Sequence, residues 1–181
     1  MRIACIGGGP AGLYFSISMK LLDPSCEVVV LERNKPNDTF GWGVVLSDET
    51  LENLHANDPV SAASIRKNFA YWDDIALHFR GERLVSTGHG FCGIGRKKLL
   101  MLLQERAQSL GVDLRYETEV ESAEAYRDEF DVVVANDGLN SKTRMLYKGI
   151  FKPAVDERLC QFVWLGTHQT FKDAFTFIFE E

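Results

Sequence analysis

The sequence predicts an α/β fold built on a parallel sheet. The first observation is the order of elements, since residues 2–6 predict a short buried strand, residues 11–22 a helix, and the β-branched run 27–32 a second strand. The second observation is a glycine-rich turn, residues 7–12, that joins the first strand directly to the helix. A strand, a glycine-rich turn, a helix and another strand are typical of a βαβ unit, so we expect a Rossmann-like domain.

The turn matches the G-x-G-x-x-G pattern of dinucleotide sites at Gly7, Gly9 and Gly12. In that pattern the glycines permit a tight turn, close approach of the backbone to a diphosphate, and close packing of helix on strand. Pro10 and Ala11 begin a helix whose first two turns carry no charge. The N-terminal amides of this helix would therefore meet an anionic ligand without a competing carboxylate.

Glu32 ends the second strand, 20 residues after Gly12, and Arg33 follows it. At that spacing a carboxylate can accept hydrogen bonds from an adenosine ribose. Strand, glycines, uncharged helix, second strand and terminal acid together predict a dinucleotide site more strongly than the glycine pattern alone. A βαβ unit with a purely structural role is the alternative.

Composition and charge exclude two classes of partner. The chain has 181 residues, of which 45% are hydrophobic and 25% charged, and its net charge is −6. It therefore lacks the basic footprint that nucleic acid or an anionic membrane requires. No apolar run approaches the roughly 20 residues of a membrane span, and the first strand leaves no room for a signal peptide. The dispersed cysteines predict reduced thiols, a cytoplasmic location and no metal site.

The residues after the first βαβ unit predict helices and a hairpin. Trp42 lies between two glycines, which indicates backbone that passes close to something flat or bulky. A hydrophobic loop that closes over the sheet is an equally good interpretation. Ser47 and Asp58 each predict the start of a helix, and residues 75–79 and 84–86 predict a hairpin.

Residues 88–95 contain a second G-x-G-x-x-G, and a predicted helix from Arg96 to about residue 110 follows. The next predicted strand, 112–116, has its first acid near its start rather than at its end. The helix also opens with three cations, which resist burial against a strand. We therefore expect a glycine-rich loop that lets backbone and Arg96 approach a ligand, with a second nucleotide fold as the alternative.

Asp137 and Gly138 follow another predicted buried strand, residues 130–135. Ser141 and Arg144 come next, on an entering helix. This layout is similar to that of the first unit and directs backbone amides at a phosphate-bearing ligand from the carboxyl end of a strand. A type I′ or helix-entry turn, for which Asp-Gly is common, is the alternative.

Beyond residue 150 the sequence predicts aromatic-rich strands over 159–165 and 175–179, the second with three phenylalanines on one face. The sequence stops directly after the second run. An aromatic edge strand without a neighbour is an aggregation hazard. We therefore expect that the polypeptide is a fragment or that its partner strands come from elsewhere.

These motifs together resemble those of the flavin-dependent aromatic hydroxylases, the single-component group A monooxygenases of the para-hydroxybenzoate hydroxylase type. The likeness is carried by Gly7-Gly8-Gly9-Pro10-Ala11-Gly12, Glu32-Arg33, Arg96-x-x-Leu99-x-x-x-Leu103 and Asp137-Gly138-x-x-Ser141-x-x-Arg144. The Asp-Gly motif is the discriminating feature, because plain NAD dehydrogenases do not carry it. Residues 41–46, 86–88, 92–93 and 164–167 resemble a narrower branch, which includes hydroxylases of salicyloyl-CoA, of 2-aminobenzoyl-CoA and of the violacein pathway.

The resemblance implies FAD as cofactor, NAD(P)H and O2 as co-substrates, and hydroxylation of a small aromatic substrate, with a CoA thioester as the narrower expectation. It implies that Gly7, Gly9 and Gly12 contact the diphosphate, that Glu32 contacts the adenosine ribose and that Arg33 lies beside the adenine. Arg96 and Asp137 would contact the flavin or the diphosphate, and Trp42 would lie near the isoalloxazine or the substrate entrance. Pro10, Ala11 and Gly138 are further cofactor-binding residues on this likeness. No catalytic residue is assigned, because the cofactor carries the difficult chemistry.

The resemblance also implies a division of the chain. Residues 1–150 would form an incomplete FAD-binding domain with a hairpin insertion near 73–88, and residues 151–181 the first strands of a truncated substrate-binding sheet. The family's downstream Gly-Asp motif does not occur after Ser141, so we expect an N-terminal fragment that is inactive alone. A flavin- or NAD-dependent oxidoreductase without oxygenase activity and a non-catalytic nucleotide-binding module are the alternatives.

Overall fold

The computed structural model describes residues 1–36, 38–161, 163, 165–170 and 172–179. The chain divides into two compact units. The first comprises Met1–Thr39 and Leu99–Phe162, and the second comprises Phe40–Lys98 and Val163–Glu181. Each unit is therefore built from two separate stretches of sequence.

Strands and helices alternate along much of the described chain. The strands are β1 (Arg2–Ile6), β2 (Glu27–Leu31), β3 (Gly43–Ser47), β4 (Ala70–Trp72), β5 (Ile75–Phe79), β6 (Glu82–Ser86), β7 (Phe91–Gly95), β8 (Asp113–Arg115), β9 (Val132–Ala135) and β10 (Phe175–Phe179). The helices are α1 (Pro10–Leu22), α2 (Asp48–Asn57), α3 (Pro59–Arg66), α4 (Arg96–Ser109), α5 (Lys142–Leu146) and α6 (Lys148–Phe151), with a 3₁₀ helix at Ala123–Tyr126. Within these described ranges, no helix has the length and apolar character needed to cross a bilayer.

The described part of the first unit contains a four-stranded sheet in the order β8-β2-β1-β9. Its neighbouring strands are parallel, with Ile3 opposite Val28 on one side and Val132 on the other. Four of the five residues of both β1 and β2 are buried, as expected for central strands covered on both faces. The predicted α/β fold with a parallel sheet is confirmed.

Helix α1 begins and ends where its sequence predicts. Gly9 is the N-cap in extended conformation, and Pro10 occupies the first helical position, where its missing N–H costs nothing. The apolar side of the helix buries Leu13 and Ile17. The helix ends at Leu22, and the N–H of Asp23 donates to the carbonyl of Met19. This helix returns the chain for the parallel pairing of β2 with β1.

The described part of the second unit contains two three-stranded sheets. In one, β7 lies between β3 and β4, and both pairings are antiparallel. In the other, β5 pairs antiparallel with β6 and parallel with β10. The hairpin of β5 and β6 turns through Arg80 and Gly81, which both have positive φ as a type I′ turn requires. Ser47 and Asp58 cap α2 and α3 through their side chains, as predicted.

The second glycine motif is not a nucleotide-binding turn. Its last three residues and the two that follow form β7, so the predicted glycine-rich loop is wrong over Phe91–Gly95. A Cβ added to Gly93 would lie 2.9 Å from the ring of Trp72, which explains a glycine in the middle of this strand. The stretch after Trp42, for which a closing loop was one interpretation, is likewise the strand β3.

The C-terminal prediction is half right. β10 lies where the sequence predicts, but it pairs with β5 in parallel and so has a neighbour. The strand predicted over 159–165 includes residues 162 and 164, which lie outside the described residues. The described residues of that range have no strand conformation, and Leu159, Val163 and Leu165 are exposed, so no sheet covers them.

Candidate functional site

The candidate site lies at the carboxyl ends of β1 and β9. The chain leaves β1 through α1 toward β2 on one side, whereas β9 is the neighbour of β1 on the other side. Such a reversal of strand order opens a crevice in which α/β proteins bind ligands. Gly7 and Asn136 are the first residues past the two strands. Their N–H groups donate to the carbonyls of Leu31 and Ile6, each at 2.8 Å.

Two of the predicted glycines are required by close backbone contacts. Gly7 has φ +102°, and a Cβ built on it would lie 2.4 Å from the carbonyl oxygen of Asn136. A Cβ on Gly12 would lie 2.1 Å from the carbonyl oxygen of Gly7. Real Cβ atoms do not approach main-chain oxygen so closely, so any larger residue would push α1 away from the turn. The glycines thus hold the helix N-terminus against the carboxyl end of β1.

The N-terminus of α1 is open to an anion. Gly9 has no atoms within 4 Å of the place where a Cβ would stand. No side chain caps the helix and its first turn contains no acid. The N–H groups of Ala11 and Gly12 have no acceptor within the helix, because the first turn of any helix leaves its donors unpaired. These amides and the helix dipole favour a phosphate group.

Glu32 lies beside this turn and is held in place by hydrogen bonds. Its Oε2 accepts from the backbone N–H of Gly8 at 2.7 Å. Its Oε1 accepts from the backbone N–H of Asn34 at 2.8 Å and from Asn34 Nδ2 at 2.7 Å. Arg33 is exposed next to it. Sequence reasoning found Glu32 but missed Gly8 and Asn34, which fix its carboxylate.

Asp137 organises the turn between β9 and α5. Its Oδ1 accepts from the Ser141 hydroxyl at 2.6 Å, and its Oδ2 accepts from the backbone N–H of Thr143 at 3.1 Å. Burial alone would raise the pKa of Asp137, but these hydrogen bonds outweigh it and lower the pKa below its ordinary value. Gly138 follows with φ +80°, a conformation that favours glycine.

Asn136 is a residue of the site that sequence reasoning missed. Within the described part of the chain, its side-chain Nδ2 is buried and has no hydrogen-bond partner. Buried polar groups normally have partners, so such an atom needs an explanation. Its sequence signal is its position, because it is the first residue past β9 and directly precedes Asp137.

Trp42 and Arg96 belong to the second unit. The backbone N–H of Arg96 donates to the carbonyl of Trp42 at 3.0 Å, so the start of α4 meets the start of β3. The Trp42 side chain is exposed, and a Cβ on Gly166 would lie 3.2 Å from its indole ring. The predicted site residues thus form two groups, one in each unit.

The residues of the first unit fit a dinucleotide. The crevice offers a helix N-terminus without an acid, an open position at Gly9 and a carboxylate at Glu32. The first two features suit a diphosphate and the carboxylate suits a ribose, which is the donor and acceptor set of an adenine dinucleotide.

Comparison with known proteins agrees with this geometry. Salicyloyl-CoA 5-hydroxylase from a Streptomyces species is 45% identical over 181 residues, which cover 100% of this chain and 35% of that protein. Protodeoxyviolaceinate monooxygenase from Chromobacterium violaceum is 34% identical over 175 residues, covering 94% of this chain and 46% of that protein. The chain therefore spans less than half the length of these curated relatives.

Solved structures share the fold. The tetrameric form of 2-methyl-3-hydroxypyridine-5-carboxylic acid oxygenase has a TM-score of 0.69 at 23% identity, covering 80% of this chain and 41% of that one. CtdE in complex with FAD has a TM-score of 0.62 at 20% identity, covering 81% of this chain and 40% of that one.

A family model described as "FAD binding domain" matches residues 1–146. The expected cofactor, FAD, and the resemblance to flavin-dependent hydroxylases are confirmed by this match and by the relatives. The chain belongs to the family of FAD-binding domains.

Proposed function

We propose that this chain supplies the FAD-binding part of a monooxygenase that hydroxylates an aromatic substrate with NAD(P)H and O2. The observation that carries the proposal is the 45% identity over the whole chain to a protein named as a salicyloyl-CoA 5-hydroxylase. A second relative, 28% identical, is named as a monooxygenase of an anthranilyl group on an aryl-carrier protein. Both names describe an aromatic acyl thioester, so we propose an aryl thioester, and more narrowly an aryl-CoA, as substrate.

We assign the diphosphate of FAD to the turn that begins at Gly7. The open position at Gly9 and the uncapped N-terminus at Pro10 and Ala11 support this assignment. Gly12 keeps the helix close to the strand, so the amides stay aimed at the same point. Bound FAD would supply hydride acceptance from NAD(P)H and activation of O2, and the chain's own residues bind and orient it.

We assign the adenosine half to Glu32 and Arg33. A carboxylate has about four acceptor positions, and the protein fills three of those of Glu32, which leaves capacity for a ribose hydroxyl. Because Gly8 and Asn34 already fix the carboxylate, little side-chain freedom is lost when the ribose binds. Exposed Arg33 has a planar guanidinium that can stack on an adenine ring.

The remaining assignments rest on the family likeness. Asp137 and Gly138 would lie beside the diphosphate or flavin, where the hydrogen bonds of Asp137 keep the turn in shape. Arg96 would contact the flavin or diphosphate, and Trp42 would lie near the isoalloxazine or the substrate entrance. We also propose that residues 1–150 serve the cofactor and that residues 151–181 begin a substrate-binding sheet.

Location is part of the same proposal. We place the protein in the cytoplasm, where NAD(P)H is available. Cys5 and Cys92 are buried and unpaired, and burial raises the pKa of both thiols, so they stay protonated and unreactive. Reduced, buried cysteines are typical of cytoplasmic proteins.

The test of cofactor binding is the visible absorption spectrum of the purified chain after addition of FAD and removal of the unbound cofactor. Flavin bands that stay with the protein are the expected result. A chain that keeps no flavin at saturating FAD would contradict the proposal and would leave a non-catalytic module without a flavin.

The test of reaction class uses flavin-loaded protein that carries residues 1–181 within a chain of the relatives' full length, incubated with NADPH, O2 and salicyloyl-CoA, followed by mass analysis of the thioester. Addition of one oxygen atom would support the monooxygenase. NADPH oxidation with O2 uptake but unchanged thioester would favour an oxidoreductase without oxygenase activity.

We propose that turnover requires the part of the relatives' length that this chain does not span. The sequence contains no Gly-Asp pair after Ser141, although the resemblance implies such a motif on the flavin ribityl chain. We predict that the 181-residue chain binds FAD yet yields no hydroxylated thioester. Product formation by this chain alone would show that the motif is dispensable.

A further inference from the structure

Residues 116–121, which follow β8 and are called the crossing segment below, are bound to the turn that contains Glu32. The N–H of Thr118 donates a hydrogen bond to the carbonyl of Glu32 at 2.9 Å. The N–H of Glu117 donates to the carbonyl of Asn34 at 3.2 Å. The crossing segment therefore begins fixed to the residue that we assign to the adenosine half of FAD.

The far end of the crossing segment reaches helix α5. Lys142, the first residue of α5, donates from its Nζ to Glu119 Oε1 at 2.8 Å and to Glu121 Oε2 at 2.9 Å. Val120, between the two acids, packs on the cluster of buried residues that includes Val29. An apolar anchor on the sheet thus has a carboxylate on either side, and both carboxylates hold the same ammonium group.

Lys142 directly follows residues 136–141, the Asp137 turn. The Ser141 hydroxyl donates to Asp137 Oδ1 at 2.6 Å, so the residue next to Lys142 is bound to that carboxylate. In the sheet, β1 separates β2 from β9, so the turns that contain Glu32 and Asp137 lie on opposite sides of the crevice. The crossing segment and Lys142 therefore join these two sides by a continuous series of contacts.

The charges of these three side chains favour the contact. The hydrogen bond from Lys142 lowers the pKa of Glu119, and the charge of Arg33 lowers it further. The hydrogen bonds to Glu119 and Glu121 raise the pKa of Lys142. Lys142 and Glu119 therefore remain charged at neutral pH. All three side chains are exposed, so their attraction is modest and salt weakens it.

We propose that Lys142 is a positioning residue for FAD, which acts by holding the Asp137 turn in place relative to Glu32. This inference rests on the proposed function, which assigns the adenosine of FAD to Glu32 and its diphosphate or flavin to Asp137. A ligand that contacts both sides binds more tightly when they are already fixed, because less freedom is lost on binding. Lys142 reaches the cofactor site only through Glu119 and Glu121.

Two other roles for Lys142 predict different results. If its ammonium group attracted the anionic cofactor directly, removal of Glu119 and Glu121 would free that charge and strengthen FAD binding. If the ion pairs served stability alone, their loss would lower the melting temperature and leave the FAD affinity of the folded chain unchanged. A positioning role alone predicts that removal of the acids weakens FAD binding.

The experiment measures FAD binding by calorimetry, at a temperature well below the melting temperature of every variant. The variants are Lys142→Gln, the double variant Glu119→Gln/Glu121→Gln, and the triple variant that combines them. We expect Lys142→Gln and the double variant each to bind FAD about threefold to tenfold more weakly, which is within the range that two exposed ion pairs supply. The triple variant should lose no more affinity than either, because all three remove the same contact.

Rescue, salt and a matched lysine complete the test. Lys142→Arg keeps a cation that can hold both carboxylates, so it should bind FAD within about twofold of the wild type. The ratio of the wild-type affinity to that of Lys142→Gln should approach one in about 1 M salt, where exposed pairs are screened. The control is Lys148→Gln, which removes the same charge from an exposed lysine of α6 and should bind FAD as the wild type does.

Unchanged or stronger FAD binding by the double variant would overturn the positioning role, because Lys142 would then act without its two acids. Unchanged affinity in Lys142→Gln would overturn it as well, while the proposed function survives. The two variants change different residues, so either one decides the matter if the other does not fold. Failure of the wild-type chain to bind FAD would overturn both proposals.

Discussion

Gly12→Ala should destabilise the first unit by forcing α1 away from β1. The added Cβ would stand 2.1 Å from the carbonyl oxygen of Gly7. Ordinary contacts of a Cβ begin at 3.4 Å, so the two must separate by more than an ångström. Gly7 cannot yield easily, because its N–H is bound to the carbonyl of Leu31 and its own Cβ position is filled by Asn136.

The size of the effect follows from two opposing terms. Overpacking that requires a main-chain shift costs about 3 kcal/mol, the upper end of the usual range. Alanine in a helix gains up to about 1 kcal/mol over glycine. The net loss is then about 2 kcal/mol, which for a chain of this size lowers Tm by about 4–8 °C.

Thermal melting followed by circular dichroism measures this, with Gly149→Ala as the matched control. Gly149 also lies in a helix of the first unit, and nothing stands within 4 Å of its Cβ position. The same substitution there should leave Tm unchanged or raise it, since alanine is the better helix former.

Equal melting temperatures for Gly12→Ala and Gly149→Ala would refute this reasoning. Such a result would mean that α1 can move away from the turn at no cost. The close packing of helix on strand would then not be what requires glycine at position 12.

Two further substitutions probe the acids of the site. Glu32→Ala should leave the chain folded but weaken FAD binding about tenfold, because one charge-assisted hydrogen bond to the ribose is lost. Calorimetry measures this affinity. The control is Glu27→Ala, at an exposed residue at the other end of β2, which should bind FAD as the wild type does. Asp137→Asn should lower the free energy of unfolding in urea by about 1 kcal/mol at pH 7, since a carboxylate then no longer accepts from the start of α5. Because the pKa of Asp137 is lower in the folded than in the unfolded chain, its carboxylate stabilises the fold above about pH 3.9 and loses that effect as the pH falls through the folded pKa.

Each of these has a result that would contradict it. Unchanged FAD affinity in Glu32→Ala would remove Glu32 from the ribose. For Asp137→Asn, the difference from the wild type should shrink toward zero below about pH 4. A constant difference across pH would show that charge is not what stabilises the turn, and Asp128→Asn, at an exposed residue, should show no difference at either pH.

The first βαβ unit could be predicted because local sequence specifies it. A buried apolar run, a glycine turn and an uncharged helix each restrict the backbone within a few residues. Capping by Ser47 and Asp58 was predictable for the same reason, since each side chain acts on the next turn of chain. The predictions that failed concern features that depend on contacts between residues distant in sequence.

Gly93 shows how distant residues override a local pattern. It belongs to a G-x-G-x-x-G, yet it lies in β7, which pairs with β3 and β4, and the ring of Trp72 fills the place of a side chain. Gln104 on α4 is a second example, since a polar side chain is buried there. Asn136 was not predicted, because the identities of the neighbouring residues do not show that its side-chain Nδ2 lacks a hydrogen-bond partner.

The parallel pairing of β1 with β9 has a consequence for synthesis on the ribosome. Arg2 and Asp131, at the paired ends of these strands, are 129 residues apart and joined by a hydrogen bond of 2.6 Å. The first strand to emerge must therefore wait for the last of the four described strands of its sheet, and contacts so far apart in sequence form slowly. The glycine-rich turn of residues 7–12 can form early in synthesis. The side of the crevice that follows β9 forms only after Asn136 has left the ribosomal exit tunnel. Binding of FAD to a nascent chain would thus report the moment at which β9 has paired with β1.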